Sequence, residues 1–441
     1  MILAILFLLI PFGIAQSGEN APTTDLYKSI NPETITTLKI TKPVGEIVEP
    51  PPAVHRIGSD IGESNLSGIQ TLQARRSIQR GIQWLLSHQD PGGGWGGGTS
   101  ATPTNDPEAP QTPTAAAITG LGLMALAQSG FVDRDQLDPA IQRLRMARRK
   151  DFGIDDGPLS NYVLAAVTSG LASLEDPAFD ELVADGVIAL RSNQWDANEG
   201  LTMTQDWYGG AGYGNRGRPD LSNTQMMLDT LYDAGIGPDD VAFQRAVVFL
   251  TRCQNLNSTN SAPWATDDGG FVYTPANGGE SLASEVAGHG RRGDENLAAG
   301  QPVRLRSYGS MTYAGFKSLL YAGLGPDDPR VHAALQWLSK HWTLDENPGL
   351  GQQGYFYYLY TMARALRASR KDVITGSDGT QHVWRAEMLD AILSRQHTDG
   401  SWINKEDRWL EGHRDLATIY SLLALEEILK PREMNTEQIS Q

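Results

Sequence analysis

The residues whose types and spacing could do chemistry are acids and aromatics gathered in a few segments. Asp206, Trp207 and Tyr208 lead through Tyr213 to Asp220, and Trp264 precedes Asp267 and Asp268. Tyr308 and Tyr313 enter one apolar stretch, Tyr355, Tyr357 and Tyr358 enter the next, and His413 and Asp415 open the last. Two acids flanking a glycosidic bond hydrolyse it while rings stack on the sugars, so Asp220, Asp267, Asp268 and Asp415 are candidate catalytic acids acting on a glycan. The same rings, Trp207, Tyr208, Tyr213, Trp264, Tyr308, Tyr313, Tyr355 and Tyr358, with His413 beside them, equally suit the lining of a site for an apolar small molecule. A scaffold that binds proteins by the rim carrying these residues is a third alternative. A local reading competes with all of them, because Asp220, Asp268 and Asp415 stand where helix N-caps or first-turn charges are wanted.

Composition narrows the remaining classes. Asp and Glu number 52 against 36 Lys and Arg, a formal charge of −16, which argues against a nucleic-acid surface and serves solubility. The 8 histidines show no close ligand spacing, so no metal and no cofactor are expected. Arg291, Arg292, Arg304 and Arg306 read as a solvated loop before they read as an anion site. Cys253 is the only cysteine, forbids an internal disulfide, and reads as a buried, inert thiol. Hydrophobic residues make up 40% of the 441, enough for a large core, and a mean hydropathy of −0.33 excludes a polytopic membrane protein.

The elements that must position these residues are legible as a repeat. Its clearest copy, 81–96, is an amphipathic helix ending at Gln89, a glycine-rich stop, and Trp95 folding back; the copy at 393–402 keeps the spacing from Gln396 to Trp402. Looser copies run from Leu190 through Gln194 to Tyr213, from Leu250 through Gln254 to Phe271, and from Gln336 and Trp337 to Gly354 and Tyr355. Glycine past the last turn ends a helix, the Gln can bond main-chain groups left unpaired there, and the aromatic covers the joint.

Two helix types alternate along these repeats. Amphipathic helices are expected near 73–89, 135–149, 179–194, 239–254, 329–341 and 383–396, and helices with few or no charges near 114–127, 161–174, 222–234, 310–322, 354–366 and 416–425. A helix apolar nearly all round is buried on several sides, so the pattern describes six outer helices around six inner ones, an all-α (α/α)6 toroid. The long connections 90–113, 195–220 and 255–306 all run from outer to inner helices and so emerge on one rim, which is where function is expected.

The unit resembles the QW-type repeat of the prenyltransferase and squalene cyclase superfamily over roughly residues 73–430. The resemblance implies a toroid, and it also shows what is missing. Residues 418–425 follow the last inner helix of the protein prenyltransferases, but Ala417 stands where those enzymes have a zinc-binding His, and 304–312 contains neither the Asp nor the Cys of the other ligands. The Asp-x-Asp-Asp acid motif of squalene cyclases is absent, and Cys253 is not followed by the Gly-Glu-Gln of thioester domains.

Domain limits follow. Residues 1–15 read as a signal peptide with small residues Gly13 and Ala15 before the cleavage, 16–70 as a flexible leader rich in Pro, Ser and Thr, 71–430 as the toroid, and 431–441 as a tail. Export to the periplasm or outside the cell is expected, with peripheral contact to a membrane compatible with an apolar ligand.

Overall fold

The computed structural model describes residues 66–97, 113–147, 159–214, 217–283 and 304–431. The expected signal peptide, most of the leader, the tail past 431, and Arg291 and Arg292 lie outside the described residues.

Among the described residues the outer helices are α1 (Gly68–Ser87), α3 (Arg134–Ala147), α5 (Asp180–Ser192), α7 (Val241–Cys253), α9 (Pro329–Lys340) and α11 (Trp384–Leu393). The inner helices are α2 (Pro113–Ser129), α4 (Ser160–Ala172), α6 (Leu221–Asp233), α8 (Gly309–Tyr321), α10 (Tyr355–Ala368) and α12 (Arg414–Leu429). Helix α2 packs on α4, α4 on α6, α6 on α8, α8 on α10, α10 on α12, and α12 returns to α2, so the inner helices close a ring. Each outer helix lies against one or two of them, and α11 also touches α1. This is the (α/α)6 toroid, and no described helix is long and apolar enough to cross a membrane.

Burial follows the two helix types. Helix α7 buries one stripe, Ala242, Phe243, Ala246, Phe249, Leu250 and Cys253, whereas α8 and α12 are buried along almost every residue. Helix α1 begins at Gly68, ahead of the expected 73, because Ser67 and Gln70 form a reciprocal capping box. Two small antiparallel ladders interrupt the helices: β1 (Ala211–Gly212) with β2 (Pro219–Asp220), and the hairpin of β3 (Val373–Thr375) and β4 (Gln381–Val383) between α10 and α11.

The repeat glutamine joins neighbouring units. Gln254 donates Nε2 to the Gly269 carbonyl of its own loop (2.9 Å) and to the Arg330 carbonyl of the next outer helix (2.8 Å). Gln194 does the same with Gly209 (2.9 Å) and Ala242 (2.9 Å). Gln396 closes the ring, reaching Gly400 (2.9 Å) and Ser77 of α1 (3.0 Å), with Ser77 Oγ donating back to its Oε1 (3.0 Å). The glycine is required by its surroundings: Gly400 has φ +100°, and a Cβ there would lie 2.5 Å from the Arg80 carbonyl. Trp95 and Trp402 are fully buried, and each donates its indole N–H to the helix it follows, at Leu85 O and Ile392 O (both 2.9 Å).

Two looser copies differ from their expected form. Ala211, not Tyr213, holds the aromatic's place after Gln194: its N–H bonds Thr224 Oγ1, as the N–H groups of Trp95, Phe271 and Trp402 bond Thr119, Thr312 and Thr418. Gln336 is exposed on α9. The glutamine's place is taken by Trp342, which follows His341 as Gln89 follows His88 and bonds Glu387 of α11 instead (3.2 Å). In both units a residue of the right type stands out of register, Tyr213 past Ala211 in the loop and Gln336 before Trp342 on the exposed face of α9.

Three of the loops also cap the inner helix before them. The N–H of Leu221 bonds Tyr273 O (2.8 Å), Ser310 N–H bonds Asn347 Oδ1 (2.9 Å), and Phe356 and Tyr357 N–H bond the two carboxylate oxygens of Glu411 (3.1 and 2.8 Å).

The ring-closing unit gives a stability test. Trp402→Ala should cost about 3–5 kcal/mol by emptying a fully buried site, and Gln396→Ala about 1–3 kcal/mol by leaving the Gly400 carbonyl and the Ser77 hydroxyl without this partner. Urea denaturation of both variants checks this, with unchanged midpoints counting against the closing role.

Candidate functional site

The polar groups that meet inside the ring come from the first two turns of the inner helices and the loop before α6. Tyr162 of α4 and Tyr420 of α12 face each other with their hydroxyl oxygens 2.9 Å apart. Tyr357 of α10 lies edge-on to Tyr420 (centroids 5.8 Å apart), and its hydroxyl accepts from Gln225 Nε2 of α6 (3.1 Å). Tyr213, on the loop before α6, hydrogen-bonds Tyr273 and Asn223. Tyr162, Tyr213 and Tyr357 keep accessible surface, yet burial pushes all three phenols above their ordinary pKa. The half-buried rings of Tyr162, Tyr213 and Tyr357, with Tyr420 between two of them, form a phenol cluster at the entrance of the inner ring, here called the recess.

Below these rings the bore is crossed by charge. Lys317 of α8 is buried and donates to Asp229 Oδ2 (2.6 Å) and Gln225 Oε1 (2.8 Å) of α6. Arg364 of α10, also buried, grips Asp233 of α6 through two nitrogens (2.7 and 3.1 Å) and reaches the hydroxyls of Tyr360 (3.1 Å) and Tyr321 (3.3 Å). Burial lowers the Lys317 pKa, with Asp229 opposing the shift. These bonds tie α6 to α8 and α10 across the ring, so the recess has a polar floor. At the far end Glu427 pairs with Arg367 and with Lys430 (2.6 Å).

Two acids stand at the mouth. Asp220 is the N-cap of α6, its oxygens accepting from Asn223 N (2.8 Å) and Asn223 Nδ2 (2.9 Å), and burial pushes its pKa up to about 6. Glu411 is 1% exposed; it accepts from Asn404 Nδ2 (2.7 Å) and from the α10 amides, and burial pushes it up to about 7. Trp409 and Leu410, just before it, take positive φ (61° and 69°), an unusual backbone for bulky residues, and the Trp409 ring lies against Gly354 at the start of α10.

The other candidate acids are engaged locally. Asp267 is exposed and accepts from Asn257 N (2.9 Å), Asp268 is exposed and accepts from Gly270 N (2.9 Å) and Ser307 Oγ (2.7 Å), and Asp415 accepts from Gly96 N (3.0 Å) with His413 Nδ1 3.5 Å away. Burial raises the Asp415 pKa, with His413 opposing.

Of the candidate aromatics, Tyr213 joins the recess. Tyr308 is buried at the N-cap of α8, and its phenol is raised by burial and then by Tyr357 and Asp220. Tyr313 and Tyr358 sit edge to face in the core (5.7 Å), with the Tyr358 hydroxyl donating to Thr343 O (2.8 Å), and the Tyr355 hydroxyl donates to Leu344 O (2.6 Å). Trp264 belongs to a small separate cluster with Ala265, Val272 and Leu305. Trp207 stands edge-on to Trp195 (4.9 Å), and Tyr208 beside it is half-buried. Cys253 is free and buried, its thiol pushed well up by burial. Among the described residues no three His, Cys, Asp or Glu side chains gather as a metal site.

The ring reasoning missed Tyr162, Gln225, Lys317, Arg364, Tyr420 and Glu411 as site residues. For Lys317 and Arg364 there was a signal, since each is an isolated cation within an otherwise apolar inner stretch.

Residues 58–160 match the family model described as the squalene-hopene cyclase C-terminal domain. Among curated proteins no relative matches the chain. Solved structures with which it shares likeness include the type II terpene cyclase MstE from Scytonema, 13% identical, covering 80% of this chain and 98% of that one with a TM-score of 0.46. A variant of MstE in complex with geranylgeranyl dihydroxybenzoate is 13% identical, covering 82% and 98%, with a TM-score of 0.47. A protein from Actinoplanes is 16% identical, covering 72% and 100%, with a TM-score of 0.32. The family match thus covers the first repeats of the chain, and the same arrangement of Gln, Gly and Trp closes the ring at Gln396 and Trp402.

Proposed function

We propose that this protein binds an apolar, isoprenoid-like small molecule in the recess at the centre of its inner ring. The observation that carries the reading is the cluster of half-buried phenol rings, Tyr162, Tyr213 and Tyr357, with Tyr420 hydrogen-bonded to Tyr162 and edge-on to Tyr357. Aromatic walls with a few fixed polar groups are what a pre-formed small-molecule site presents. The squalene-hopene cyclase match points the same way for the body of the ligand. Cleavage of a glycan by the rim acids has less support, because Asp220, Asp267, Asp268 and Asp415 each accept hydrogen bonds from nearby main chain.

Wall and cap are linked. Glu411 holds the first turn of α10 and so sets where Tyr357 stands, while Export, expected from residues 1–15, would place the site outside the cytoplasm.

Three outcomes follow. Titrating the purified chain with geranylgeraniol should quench intrinsic fluorescence saturably, and Tyr357→Ala should weaken binding about tenfold or more through lost ring contact; a parent that shows no saturable binding would sink the reading. Glu411 has its folded pKa raised from 4.5 to about 7, so its stabilising contribution is full below 4.5, declines as pH rises, and is gone above 7. The stability advantage of the parent over Glu411→Gln, followed by thermal melts, should therefore be largest near pH 4.5 and shrink towards pH 7. N-terminal sequencing of protein secreted by an expression host should begin at Gln16.

A further inference from the structure

The recess has a polar end as well as ring walls, and its chemistry narrows the ligand whose binding was proposed above. Three of the cations at hand are matched by acids, and a fourth, Arg408, donates to Gln353 Oε1 (3.0 Å) and stacks on Trp409. Lys317 pairs with Asp229, Arg364 with Asp233, and at the mouth Arg218 with Glu280 (2.5 Å). A buried diphosphate needs cations or several donors directed at it, and taking Lys317 or Arg364 from its partner would leave a carboxylate buried without a counter-charge.

The hydroxyls, in contrast, have capacity to spare. Two phenols 2.9 Å apart share one hydrogen bond but carry two protons, so one of Tyr162 and Tyr420 donates to the other while the second proton is left for another acceptor. Tyr162 is half-buried, which keeps this pair within reach of the recess. Burial pushes both phenols up, so both stay protonated in the ordinary pH range. The Tyr357 hydroxyl is already an acceptor for Gln225, whose Oε1 in turn accepts from Lys317, so the charged floor is occupied by its own network.

We propose that the ligand is uncharged and ends in a single oxygen acceptor, an alcohol or a carbonyl, seated on the Tyr162–Tyr420 hydroxyl pair with its apolar body against the surrounding rings. The pair then distinguishes an oxygen-ended isoprenoid from a plain hydrocarbon, and the balanced ion pairs exclude the diphosphate.

The test is isothermal titration of the full chain with geranylgeraniol, squalene and geranylgeranyl diphosphate, for the parent and for the double variant Tyr162→Phe with Tyr420→Phe. Phenylalanine keeps the rings and their volume, and circular dichroism melts confirm that the variant folds. The alcohol should bind the parent about tenfold more tightly than either other probe, and the double variant should lose that advantage without weakening its grip on squalene. Diphosphate or squalene binding as tightly as the alcohol, or an alcohol affinity unchanged in the double variant, would overturn the assignment of the head group while leaving the apolar site standing. Failure of all three probes to bind the parent would overturn the site itself.

Discussion

The architecture rests on a carboxamide, present in three of the repeats, that bridges two carbonyls, one in its own loop and one on the next outer helix. Gln194, Gln254 and Gln396 all do this, and in each case the loop glycine comes so close to the neighbouring helix that no side chain fits. The bond therefore fixes two things together. It pins the start of a long outer-to-inner loop, and it sets the spacing between adjacent outer helices. Three of the loops also deliver a cap to the preceding inner helix, and the first two turns of the inner helices carry rings of the recess.

The bore is less uniform than an alternation of polar and apolar helices suggests. Lys317, Asp229, Arg364 and Asp233 place two positive and two negative groups inside the ring, where removal of any one would strand a buried charge. Such groups contribute little net stability against apolar replacements of the same volume. Their geometry nonetheless links α6 with α8 and α10, and it divides the bore into a phenol-walled recess and a charged floor.

Helix types, their order and the ring were legible in the sequence because they depend on local periodicity. The Gln, Gly and Trp grammar was legible where its spacing is tight, at Gln89 to Trp95 and Gln396 to Trp402, and misled where the loops are long. Tyr213 was an aromatic of the right kind, but the hydrogen bond to Thr224 identifies Ala211 as the residue in register. The recess was legible only in part. Tyr213 was in the candidate set, while Tyr162, Tyr420 and Gln225 acquire meaning only through partners on other helices. Glu411 caps a helix 55 residues earlier in the chain, and no local pattern marks a cap supplied from the next repeat.

The clasp from Gln396 to Ser77 joins residues 319 apart in sequence. During synthesis α1 is among the first described helices to emerge, yet the surface that covers Gly81, Leu422 with Trp402, is among the last. For nearly the whole of translation, the buried stripe of α1, with Ile78, Ile82 and Leu85, therefore waits without its partner. A ring that closes end to end thus leaves part of its first described helix uncovered until the last repeat arrives.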